Sequence, residues 1–136
     1  MNFAREYLRL REGRSWPEVA VTLFECEDEF SQEIEFQGID GGLLKGYIFG
    51  YDDLCGDPLI AVITQPGWSV FTATHGESIR TAHPISAGLT VFFESLSLVA
   101  DVLTGRLTIG AGLREIELKN GTFPFDLEFW TVFFEE

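Results

Sequence analysis

The spacing of apolar residues divides the chain into two regimes. Over most of its length, short runs rich in Val, Ile, Phe, Tyr and Thr are broken by turn signals. These are Asp40-Gly41-Gly42, Asp57-Pro58, Gln65-Pro66-Gly67, His75-Gly76, Thr104-Gly105 and Asn120-Gly121. Branched and aromatic side chains suit a pleated, half-buried surface, and Gly, Pro, Asn and Asp suit sharp reversals. The pattern predicts strands near 18–26, 31–37, 43–50, 58–64, 68–74, 106–110, 113–119 and 122–134. Asn120-Gly121 is the clearest hairpin signal, because both residues tolerate the positive φ of a type I′ turn.

One segment follows a different period. From Ile85 the apolar positions Leu89, Phe92, Leu96, Val99 and Leu103 advance by 4, 3, 4, 3 and 4 residues. Ser86, Thr90, Glu94, Ser97, Asp101 and Thr104 fill the opposite stripe. This predicts an amphipathic helix over about 85–104, opened by Pro84 and closed by Gly105. Residues 2–12 fit a short helix, with Phe3, Tyr7 and Leu10 on one face, or an edge-strand arm. In the tail, Phe125, Leu127 and Phe129 alternate with Trp130, Val132 and Phe134. That pattern predicts a central strand, or one whose second face a partner covers, which opens the way to a homodimer. The expected fold is α+β: an antiparallel twisted sheet of about six to eight short strands, with one long helix packed on it.

Composition narrows the class. A length of 136 residues fits a single domain, and 46% hydrophobic with 14% aromatic residues excludes disorder for most of the chain. The net charge of −13 opposes binding to nucleic acid or to anionic membranes. It favours solubility and fast capture of a basic protein. The charge is local: residues 18–57 hold eleven acids against Lys45 alone, whereas residues 1–14 are slightly basic. The N-terminus has no apolar signal segment, and Cys26 and Cys55 read as free thiols, with one bridge as the alternative. A cytoplasmic setting is therefore expected. The uncharged stretch 58–76 is broken by Gln65-Pro66-Gly67 and reads as two strands and a turn, not a membrane span.

Candidate chemistry is sparse. Glu25, Glu27, Asp28, Glu29, Glu33, Glu35, Asp52 and Asp53 form an acidic band. Alternation places Glu33 and Glu35 opposite Ile34 and Phe36, and Glu25 and Glu27 opposite Phe24 and Cys26. Such a carboxylate face suits Lys and Arg side chains of a partner. Trp16 and Trp68 lie beside turns and are the expected aromatic anchors. The run from Tyr51 to Asp57 lacks the spacing of an EF-hand loop. His75, Glu77, Arg80 and His83 offer an alternative: the rim of a small-molecule or enzymatic site at 75–83. Their spacing matches no zinc motif, Ser69 lacks a nucleophile-elbow context, and Gly110-Ala111-Gly112 makes no dinucleotide loop. No catalytic residue, metal or cofactor is expected. The leading expectation is a small acidic binding protein that neutralises a basic partner, most concretely a bacterial immunity protein against a nuclease-type toxin. A structural or oligomeric subunit is the remaining alternative.

Overall fold

A computed structural model describes residues 3–30, 33–38, 41–63, 67–73 and 81–135. The fold is α+β. Helix α1 (Phe3–Arg11) leads into strands β1 (Val21–Leu23), β2 (Ile34–Gly38), β3 (Leu43–Asp52), β4 (Pro58–Ile63), β5 (Trp68–Ala73) and β6 (Thr81–Ser86). Helices α2 (Leu89–Leu103), α3 (Ile109–Asn120) and α4 (Leu127–Thr131) follow. Short 3₁₀ turns lie at Glu27–Glu29 and Val132–Phe134. The split of residues 58–76 into strands holds for β4 and β5, and no helix among the described residues is long and apolar enough to cross a membrane.

The sheet is mixed rather than wholly antiparallel. Strands β2 to β6 form a meander in which each pairs antiparallel with the next, and β2 also pairs parallel with β6 at Gln37↔Thr81 and Gly38↔Ala82. The pairing therefore closes a ring. A meander with an odd number of strands starts and ends in the same direction, so its closing pair must be parallel. The sixth strand, β1, lies outside the ring on the edge of β3 that β2 leaves open, with Thr22↔Tyr51 and Leu23↔Gly50 in register.

The two sheet faces hold separate cores, as period-2 alternation requires. Along β4, Ile60 and Val62 join Phe36, Ala73 and Ala82 in a small cluster, while Leu59 and Ala61 face the helices. The larger cluster packs Leu89, Phe92, Phe93, Leu96 and Val99 of α2 against Phe49, Leu59, Val70 and Ile85. Burying each such side chain contributes roughly 1.5–3 kcal/mol. Phe3 and Tyr7 settle the N-terminal question as a helix, one turn apart and both buried. Phe3 meets Trp68 edge-on at 4.7 Å and stacks on Tyr47 at 5.1 Å.

Four expectations fail for identifiable reasons. The long helix is one of four among the described residues and begins at Leu89, because Ile85 and Ser86 belong to β6. Ile85 is buried by its strand, and its agreement with the helical stripe is coincidental. Strands expected at 106–110 and 113–119 give way to α3. There Gly112, Ile116 and Asn120 are buried at a spacing of four residues, and Thr108 Oγ1 accepts from the Ala111 amide at 3.1 Å. The apparent alternation Ile116-Glu117-Leu118 misleads, since Ile116 is fully buried and Leu118 is 66% exposed. Gly121 does take a positive φ of 58°, but it caps a helix instead of turning a hairpin. The tail strand 122–134 is α4 and a 3₁₀ turn, with Asp126 Oδ1 accepting from the Glu128 amide at 3.0 Å. Trp130 and Phe133 are buried in this chain's own core.

Candidate functional site

The acidic band is built by the path of the chain beside β3. Strand β1 lies along the C-terminal half of one β3 edge and β2 along the N-terminal half, with residues 24–33 bridging them. Thr22 is opposite Tyr51, and Glu35 is opposite Lys45, six residues further back along β3. At roughly 3.3 Å per residue that separates the two pairs by about 20 Å. The band is thus two groups of carboxylates, one around β1 and one on β2.

In the group around β1, Glu25 is exposed. Glu27 lies 3.3 Å from Arg5, and both side chains are largely in solvent. Glu29 is spent on local structure. Its Oε1 accepts from the backbone amides of Glu25 at 2.6 Å and Cys26 at 3.2 Å, and from the Cys26 thiol at 3.6 Å. The Glu25 amide above all, with the Cys26 groups and Arg11, holds the Glu29 carboxyl below the usual carboxylate range. The Glu27–Glu29 turn, which includes Asp28, replaces the extended geometry that would have put Glu25 and Glu27 on one strand face. Asp53 is exposed and accepts the Thr22 hydroxyl proton at 2.7 Å.

Asp52 is not a surface acid. It is 5% exposed, and its Oδ1 accepts from the amides of Leu54 at 2.7 Å and Cys55 at 3.3 Å. It shapes the connection between β3 and β4, an Asx-type turn closed by the Asp52 amide on the Asp57 carbonyl. Asp52, Cys55 and Asp57 bring one potential ligand atom each within 4.8 Å of one another. Desolvation, followed by these two acids, pushes the Cys55 thiol up, so it is a poor nucleophile at neutral pH. On β2, Ile34 and Phe36 pack into the small cluster, leaving Glu33 and Glu35 exposed as expected. Glu35 lies 4.0 Å from Lys45.

The two tryptophans are structural before they are anything else. Trp16 is 8% exposed, stacks on Phe93 at 5.4 Å and donates its indole N–H to Ser97 Oγ at 2.9 Å. The expected partly exposed anchor is therefore a core residue, with only an edge at the surface. Trp68 is half-buried against Phe3 and Tyr47.

A groove of about 530 Å³ lies beside β1, a feature the sequence pattern did not single out. Val21 and Leu23 line it from the strand, Trp16 and Pro17 from the turn after α1, and Glu25 and Glu29 add to its lining. Arg11 also reaches it, donating to the Phe24 carbonyl at 2.8 Å and to the Tyr7 hydroxyl at 3.2 Å. The Tyr7 hydroxyl donates to the same carbonyl at 2.7 Å, and burial pushes its pKa up to about 12.

Of the alternative site at 75–83, His75, Glu77 and Arg80 lie outside the described residues. His83 is described: its Nε2 is 3.3 Å from Asp126 Oδ2, above a hollow of about 370 Å³ walled by Pro84, Pro124 and Phe125. Set against known proteins, the chain matches no family model, no curated protein and no solved structure.

Proposed function

We propose that this is a small binding protein that captures a basic protein partner through its acidic surface. The concrete form of the proposal is a bacterial immunity protein that occupies the basic cleft of a nuclease-type toxin. The observation that carries it is the way charge is committed. Arg5, Arg9, Lys45, Arg106 and Lys119 all lie within 4.0 Å of a carboxylate of the same chain. Among the described residues, no cation pairs with Glu18, Glu25, Glu33 or Asp53, all exposed. Exposed, unpaired carboxylates of one sign raise the encounter rate with a cationic surface and repel polyanions. Free Cys26 and Cys55 are in keeping with a reducing, cytoplasmic setting.

The test is the association rate with a basic nuclease domain encoded beside this protein, measured at low and high salt. Changing Glu33, Glu35 and Asp53 to Lys together is expected to slow association by about tenfold or more and to flatten its salt dependence. An unchanged rate would overturn the proposal. A second reading, a small-molecule site, draws on His83 and Asp126 facing an apolar hollow. It predicts thermal stabilisation by some metal or metabolite that His83→Ala abolishes.

A further inference from the structure

We propose that the outer edge of β1 receives an extended, lysine- or arginine-rich segment of the partner, which lies in the adjoining groove as an added strand. The inference rests on the acidic-surface reading above and specifies how that surface is used.

The β1–β3 ladder has a fixed parity. The Asp53 amide donates to the Ala20 carbonyl at 2.9 Å, and the Phe24 amide donates to the Phe49 carbonyl at 2.8 Å. Residues 20, 22 and 24 therefore bond towards β3, and the backbone groups of Val21 and Leu23 point the other way. The Val21 amide is taken by the Val19 carbonyl at 2.8 Å. Among the described residues, nothing takes the Leu23 amide or the carbonyls of Val21 and Leu23.

The outer edge of β6 shows how the same fold treats an edge that it closes itself. There the Pro84 carbonyl accepts the Asp126 amide, and the Ile85 carbonyl accepts the Trp130 indole N–H, both at 2.8 Å. Just beyond, the Ala87 amide donates to Asn120 Oδ1 at 2.7 Å. Among the described residues no comparable cover lies over β1, where a groove of about 530 Å³ runs instead. An uncovered strand edge is a template for another strand.

Charge and shape select the occupant. Val21, Leu23, Pro17 and Trp16 line the groove with apolar surface, and Glu25 adds an exposed carboxylate to it, Glu29 being committed to the amides of Glu25 and Cys26. Arg11 is held on the Phe24 carbonyl, and Glu18 is exposed beside the 15–17 turn. An added strand would alternate apolar side chains against the apolar lining with cationic ones towards these acids.

The probe is a short peptide of alternating lysine and valine, with a glutamate–valine peptide as control, added to the full chain. Amide hydrogen exchange is followed residue by residue. Binding is expected to slow exchange at Leu23 by about tenfold or more, leaving Thr22, already bonded to β3, unchanged. Glu25→Lys should weaken the lysine–valine peptide by about tenfold. Leu23→Pro removes the outward amide without touching the β3 ladder and should abolish the protection pattern; the wild-type exchange data stand if that variant misfolds. Should the basic peptide bind while Leu23 exchange is unaltered, strand addition is overturned and the acidic-surface reading survives. Failure of the basic peptide to outbind the acidic one overturns strand addition, and the nuclease-domain measurement decides the parent reading separately.

Discussion

At the scale of single residues, two buried polar groups show how the fold uses side-chain chemistry. Tyr7 spends its hydroxyl on the Phe24 carbonyl and accepts from Arg11, which ties α1 to the end of β1. Its pKa is pushed from 10 up to about 12, by burial first of all. Below pH 10 the residue is neutral in both folded and unfolded chains, and its full contribution is present. As the pH rises through 10 towards 12 the unfolded chain loses the proton first, so stability falls, by on the order of 3 kcal/mol in total. Urea unfolding between pH 8 and about 12 should show that loss in the wild type and a shallower one in Tyr7→Phe. Asn120 accepts from the Ala87 amide at 2.7 Å and donates to the Ile116 carbonyl at 2.8 Å. Asn120→Ala leaves a half-buried amide and the Ile116 carbonyl without their side-chain partner and is expected to destabilise by about 1–3 kcal/mol, read as a lower denaturation midpoint at unchanged slope. Asn120→Asp keeps an acceptor for Ala87 but sets a second oxygen against the Ile116 carbonyl and buries a negative charge at the C-terminal end of α3, so at neutral pH it should cost at least as much.

At the scale of elements, α3 explains both what the sequence concealed and what it made legible. Two glycines in a 12-residue helix argue against helix by propensity. Gly112 is nevertheless required, since a Cβ there would lie 2.7 Å from Val102 Cγ2 where α2 and α3 meet. Gly112→Ala should therefore lower stability by about 1–3 kcal/mol, against the gain expected of the same change in an open helix, and Gly110→Ala should raise it. Gly110 has open space at that position, and comparing the two melting curves separates packing from propensity. Helix α2 was legible because its stripe is long and its polar face clean. Strands β3, β4 and β5 were legible because turn residues bound them closely. The tail was not, because α4 is only five residues long and too short to display a helical period. In the acidic region the band could be read from composition, but its division could not. Which acids Asp52 and Glu29 spend on turns depends on backbone amides that no side-chain pattern encodes.

At the scale of the whole molecule, a charge of −13 on 136 residues works against compactness. Raising ionic strength from about 10 mM to about 0.5 M should lift the melting temperature by a few degrees, and the triple Glu33, Glu35 and Asp53 reversal should reduce that gain. The ring's parallel seam, two residue pairs between β2 and β6, joins the first strand of the meander to the last. No pattern within a single hairpin reveals such a closure, so the sequence pattern pointed to a wholly antiparallel twisted sheet. The way β6 is covered also carries a consequence for biosynthesis. Its outward carbonyls are satisfied by Asp126 and Trp130, about forty residues later in the chain. While the ribosome is still making α2 and α3, the finished strands must present that edge bare, together with the helix-facing core of Leu59, Val70 and Ile85. The vulnerable interval of this protein is therefore its own translation, and it ends only when the last helix emerges.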